Sequence, residues 1–142
     1  MRIDARPWAR PGLRWAALAA ALTFAACGGS GTTTTNPNAP TTTETFTGSL
    51  AAGGVNSHTF NVAQSGALTV TLTTLSPQST ITVGLGLGQP SGTACSLSSS
   101  DNTAKMGSVE QTTLDAGSWC VAIYDLGNVQ GSDTYTLTVN HT

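Results

Sequence analysis

Three stretches of the chain alternate apolar and polar residues with a period of two. Over 67–75, "ALTVTLTTL", Leu68, Val70 and Leu72 share one face and Thr69, Thr71 and Thr73 the other. Over 80–88, "TITVGLGLG", Ile81, Val83, Leu85 and Leu87 oppose Thr82, Gly84 and Gly86. Over 134–140, "TYTLTVN", Tyr135, Leu137 and Val139 oppose Thr134, Thr136 and Thr138. Successive side chains of an extended chain point to opposite faces, so this is the pattern of half-buried strands. Threonine suits the wet face because its β-branched side chain favours extended backbone. Shorter segments at 45–50, 57–62, 93–98, 106–114 and 118–125 bring the predicted strands to eight. Turn clusters separate them: "AAGG" at 51–54, "QSG" at 64–66, "SPQS" at 76–79, "QPSG" at 89–92, "SSSDN" at 98–102, "DAG" at 115–117 and "LGNVQGSD" at 126–133. No segment after Ala26 carries a helical period. Short strands at this spacing predict an all-β chain folded as one antiparallel sandwich over residues 45–142.

The start of the chain follows different rules. Arg2, Arg6, Arg10 and Arg14 precede the apolar run "WAALAAALTFAA" at 15–26. A run of that length fits the core of an export signal and falls short of a bilayer span. It stops at Cys27, and "TFAAC" resembles the lipobox of bacterial lipoproteins, with Ala25 and Ala26 as the small residues before the acceptor cysteine. Phe24 stands where that family more often has Leu. The resemblance implies that residues 1–26 are a cleaved signal peptide and that the Cys27 thiol receives a diacylglyceryl group. Several acyl chains on one residue hold a protein stably at a membrane, since each buried CH₂ contributes roughly 0.8 kcal/mol. Gly28 and Gly29 follow, with no Asp at the second position. By resemblance to the enterobacterial sorting rule, this implies the outer membrane where a cell has one. "GGSGTTTTNPNAPTTTE" at 28–44 has no apolar residue larger than Ala39 and cannot offset its ordering entropy by burial. Residues 27–44 are therefore expected to be the lipidated cysteine and a disordered tether, whose Thr and Pro content would also suit O-glycosylation.

With Cys27 lipidated, Cys95 and Cys120 remain of the three cysteines. Export places them in an oxidising space, so a disulfide is expected. No CxxC or HxxxH spacing supports zinc. Beyond Cys27, Lys105 is the only basic residue against six carboxylates, a net charge of −5. Without a basic patch, nucleic acid and anionic headgroups are excluded as natural partners.

"FTGSLAAGGVNSHTFNVAQSGALTVTL" and the later "TTLDAGSWCVAIYDLGNVQGSDTYTLTV" together resemble the bacterial pre-peptidase C-terminal domain. Leu114, Ala116, Gly117, Trp119, Val121 and Ile123 match its "L-x-A-G-x-aromatic-x-V-x-V" pattern, and Tyr135, Leu137 and Val139 its final "Y-x-L-x-V". The resemblance covers roughly 46–140 and implies a jelly-roll-like sandwich. Its motifs are structural and do not specify an activity. Parity places Trp119, Val121 and Ile123 in the core and Tyr124 on the opposite face, as the candidate exposed aromatic. Cys120 then faces away from the core, while Cys95 shares phase with Leu97, expected inside. Either the bridge lies on an outer surface or a bulge resets one strand.

Some modules related to that family bind collagen, polysaccharide or calcium. The oxygen donors here are Asp101 with Asn102, and Asp125 with Asn128 and Asp133. Neither loop offers the six to eight oxygens calcium takes, so no cofactor is expected. Tyr124, Asp125, Asn128 and Asp133 remain the candidate binding residues. The histidines give no catalytic constellation. His58 alternates with Phe60 and Val62 at the core's rim, and His141 is expected to fray at the C-terminus. There is no G-x-S-x-G elbow, and "GLGLGQ" at 84–89 has no helix after it to cradle phosphate. The expected protein is a non-catalytic envelope lipoprotein whose sandwich binds protein or glycan or serves structurally. An inhibitor or chaperone-like module acting on a co-exported peptidase is the alternative, ahead of a spacer or a minimal hydrolase.

Overall fold

A computed structural model describes residues 40–142; the export segment, Cys27 and the tether up to residue 39 lie outside the described residues. Eight strands follow in order: β1 Thr42–Ala51, β2 Val55–Val62, β3 Gly66–Ser76, β4 Val83–Ser91, β5 Ala94–Ala104, β6 Val109–Leu114, β7 Gly117–Asp125 and β8 Ser132–His141. They form two antiparallel four-stranded sheets, ordered β1-β8-β3-β6 and β2-β7-β4-β5. Every connection except the β4–β5 hairpin crosses from one sheet to the other, which is the jelly-roll arrangement. The alternating segments supply the core as their pattern predicts. Leu68, Val70 and Leu72 meet Val83, Leu85 and Leu87, with Val121, Ile123, Tyr135, Leu137 and Val139 beside them. Trp119 is half-buried against this core, its indole Nε1 donating to the Asp115 carbonyl at 2.9 Å.

Several boundaries differ from expectation for local reasons. β1 starts at Thr42, inside the expected tether, because Glu44 pairs across to Val139 and its carboxylate reaches His141. Ile81 and Thr82 precede β4 instead of opening it. The polar run "SSSDN" at 98–102 is strand, not turn. β5 is an edge strand, so its polar residues stay wet while its backbone pairs with β4. β6 begins at Val109 because a turn occupies 105–108, closed by the Ser108 N–H on the Lys105 carbonyl with Gly107 at φ 89°.

The glycines of β4 explain the disulfide. Val83, Leu85 and Leu87 face the core, so Gly84, Gly86 and Gly88 face outward, yet all three are buried. A β-carbon at Gly84 would overlap the Tyr124 ring, and one at Gly86 would lie 2.7 Å from a Leu97 methyl. At Gly88 it would overlap the carbonyl of Ser96. β5 therefore folds over the outer face of β4 instead of lying flat beside it. Two bulges on β5 allow this curl: Leu87 pairs with Ser99 but Gly88 with Leu97, and Val83 pairs with Ala104 but Leu85 with Asp101. The extra residue at Ser98 shifts the phase of β5. Leu97 is consequently not a core residue; it lies on the outer face, 41% exposed. Cys95 comes within reach of Cys120, two strands away, with 5.8 Å between Cα atoms. The bridge spans the outer face of the second sheet, and the rest of β5 is bent to fit it.

Candidate functional site

The residues singled out around the β7–β8 loop are structural clasps. Asp125 Oδ1 accepts the backbone N–H groups of Gly127, Asn128 and Val129 at 2.8–3.0 Å, and Oδ2 that of Gly53 at 2.8 Å. These four bonds favour the ionised carboxylate and, led by that from Gly53, pull its pKa down to about 2. Asn128 Nδ2 donates to the Thr82 carbonyl at 2.8 Å. Asp133 is fully buried; its Oδ1 accepts the Gln78 N–H at 2.9 Å and its Oδ2 has no partner. The two carboxylates bond to different loops. Asp101 Oδ1 accepts the Thr103 N–H at 2.7 Å within its own strand. Among the described residues no group of three or more His, Cys, Asp or Glu is gathered as metal ligands require. Tyr124 faces outward as expected, but its ring lies down over Gly84 and its hydroxyl donates to Asn102 Oδ1 at 2.5 Å. It braces the outer face and is only half exposed.

Both histidines are held. His58 stacks on Phe46, with ring centroids 4.8 Å apart, and its Nε2 bonds the Tyr135 hydroxyl at 2.7 Å. Burial lowers the His58 pKa and raises that of Tyr135. Gly48 lies opposite Tyr135 because a β-carbon there would sit 2.5 Å from the phenol oxygen. His141 is not frayed: it is 3% exposed, and its Nε2 lies 3.0 Å from Glu44 Oε1. The last strand is thus pinned to the first, which the expectation of a loose terminus overlooked.

A different set of residues converges where the two sheets part at the β5–β6 edge. Register makes the case. Glu110 pairs with Val70 and Thr112 with Leu68, so both stand on the core-facing side of β6. Ser99 pairs with Leu87 and Asp101 with Leu85, which places them on the core-facing side of β5. Four polar residues thus occupy apolar phase at one edge of the sandwich. Three of them, Ser99, Glu110 and Thr112, line a cleft of about 330 Å³ together with Ser100 and Gln111, over a floor of Leu68 and Leu87, and Asp101 stands beside it. Burial, and secondarily the charge of Asp101, raises the Glu110 pKa. The single salt bridge among the described residues is the distant His141–Glu44 pair, so neither carboxylate has a cation. The arrangement offers an apolar floor, hydroxyl and amide walls, and uncompensated negative charge. Inward-facing charges on edge strands also discourage edge-to-edge pairing of sheets. The sequence carried a signal for this cleft: in "VEQTTL" Glu110 and Thr112 share the phase of Leu114, where a strand of this fold would otherwise be apolar.

A second cavity, of about 400 Å³, opens at the opposite edge and is lined by Thr42, Glu44, Thr59, Phe60, Asn61, Ser118 and His141. Its carboxylate is already matched by His141.

No protein-family model and no curated protein matches the chain. Among solved structures it is similar to the crystal structure of Aeromonas hydrophila PliG, a periplasmic lysozyme inhibitor of g-type lysozyme. The identity is 14% and the TM-score 0.48, over 68% of this chain and 83% of that one.

Proposed function

We propose that this chain is an exported envelope protein, anchored through lipid on Cys27, which presents its sandwich as a non-catalytic recognition module for an envelope protein or polysaccharide. The observation that carries this reading is the position of the β5–β6 cleft. β1 and β6 are the two outer strands of the first sheet, with β8 and β3 between them. The tether leads into β1, so the cleft opens on the edge opposite the attachment. The cavity at the tethered edge has its carboxylate matched by His141, whereas the β5–β6 cleft keeps its charge unmatched and so is the better surface for a partner. The lipobox-like "TFAAC" and the Thr- and Pro-rich tether support the anchored, exported part of the same reading.

The test is capture. The full-length protein in detergent is immobilised and exposed to purified peptidoglycan, a polysaccharide panel and envelope extract. Saturable retention of one component, weakened by the cleft-filling Thr112→Trp variant, is the expected outcome. Inhibition of a co-exported peptidase with no retention of envelope material would replace this reading with that of an inhibitor. Globomycin treatment, which blocks processing of lipoproteins, is expected to leave an uncleaved precursor; unchanged processing, or processing of a Cys27→Ser variant, would remove the anchor.

A further inference from the structure

Resting on the recognition reading, we infer that the β5–β6 cleft is a receptor for one cationic side chain, an arginine projected by a protein partner. Three observations fit together. The floor formed by Leu68 and Leu87 is apolar and belongs to the core cluster, so an aliphatic stem lying on it continues the core outward. The wall carries the Glu110 carboxylate, with Asp101 near enough to act on it electrostatically. Among the described residues no counterion meets it: the only Lys or Arg there is Lys105, and it forms no salt bridge.

Arginine fits better than the alternatives on chemistry. Its planar guanidinium presents five N–H donors and can bridge two carboxylates, while a lysine ammonium is a more strongly hydrated point charge. The hydroxyls of Ser99 and Thr112 can accept the remaining donors. A neutral sugar would use the hydroxyl walls but leave two half-buried like charges uncompensated. An anionic sugar would add a third. The net charge of −5 beyond Cys27 would further steer a basic partner toward this surface.

The probe is N-acetyl-arginine N-methylamide, titrated into the ¹⁵N-labelled full-length protein in detergent at low ionic strength, with the isosteric citrulline compound as neutral control. Saturable amide shifts confined to Ser99–Ser100 and Glu110–Thr112, with millimolar affinity and weakening as salt is added, are expected. Glu110→Gln should weaken the arginine probe roughly tenfold or more while leaving other amide positions unchanged, and Asp101→Asn should weaken it less. Ser99→Arg, which places a guanidinium in the cleft from within, should abolish the response. If Glu110→Gln does not fold, Asp101→Asn and Ser99→Arg carry the decision. Equal shifts with citrulline, or none with arginine, overturn the inference. In the latter case retention of an envelope component that Thr112→Trp still weakens would leave the recognition reading standing, whereas loss of that retention as well would remove both.

Discussion

Gly88→Ala separates the account of the bent strand from a flat sheet. The added methyl would overlap the carbonyl of Ser96, a backbone atom that no rotamer change can move. Forcing a methyl into a filled site costs about 1–3 kcal/mol, and replacing glycine returns about 0.4–1 kcal/mol by restricting the unfolded chain. The net loss is about 1–2 kcal/mol, or roughly 5–15 °C in Tm for a domain of this size. Gly86→Ala is the internal control. Its methyl would meet the end of Leu97, a flexible and partly exposed side chain that can turn away, and would lie 3.2 Å from the Ser99 carbonyl, a contact relieved by a small shift, so its loss should be clearly smaller than that of Gly88→Ala. Ser96 adjoins Cys95, and Cys95 is bonded to Cys120, the residue paired with Gly88. β5 can lift from the Gly88 methyl only if that bridge is absent. In a Cys95→Ser, Cys120→Ser background the cost of Gly88→Ala should therefore shrink by about 1 kcal/mol. Urea unfolding followed by Trp119 fluorescence measures all of these. Equal costs in both backgrounds, or a Gly86→Ala loss as large as that of Gly88→Ala, would refute the proposed curl of β5.

The disulfide closes a 25-residue separation, so its removal by the paired serines should cost about 3 kcal/mol on the chain-entropy account; a loss below about 1 kcal/mol would contradict it. Tyr135→Phe leaves His58 Nε2 half-buried without its partner and should cost about 1–2 kcal/mol by urea unfolding, while a neutral result would mean the bond is idle. Asp125, held at about 2 from a usual 3.8, binds fewer protons folded than unfolded. Its stabilisation is present above pH 4 and lost between pH 4 and 2, so Asp125→Asn should destabilise at neutral pH and flatten the acid limb of the stability curve. Glu110 has the opposite sign: its raised pKa means that ionisation opposes folding as pH rises past the unfolded value. Glu110→Gln should therefore raise Tm slightly at pH 7, by less than about 1 kcal/mol of stability given its exposure, with no gain below pH 4. A Tm decrease at pH 7 would show that the carboxylate serves the fold.

The sandwich was readable because its core strands obey a strict period of two. In Leu68-Val70-Leu72 and Tyr135-Leu137-Val139 each apolar residue falls on one face, and the structure buries those faces together. What escaped the pattern lies where tertiary geometry overrides local preference. "SSSDN" has turn composition, yet an edge strand requires only backbone pairing on one side and accepts polar residues throughout. Simple parity carries Leu97 into the core, but a bulge at Ser98 breaks it. His141 stands next to the C-terminus, and what holds it, Glu44 on the first strand, lies 97 residues earlier. The candidate site shows the same division. Asp125 and Asn128 have the composition of a ligand loop, but backbone bonds from its own loop and from distant Gly53 consume Asp125, and a long-range bond to Thr82 holds Asn128. Glu110 was visible as a charge in apolar phase. Its meeting with Ser99 and Asp101 depended on which edges of the two sheets face each other, and no local signal encodes that.

The most direct measurement is photocrosslinking in intact cells, with a photoreactive residue placed singly at Thr112 in the cleft or at Thr47 on β1. A specific product is expected from Thr112 and not from Thr47, and Ser99→Arg should suppress it. Equal products from both positions, or a product from Thr47 alone, would contradict recognition through the β5–β6 edge.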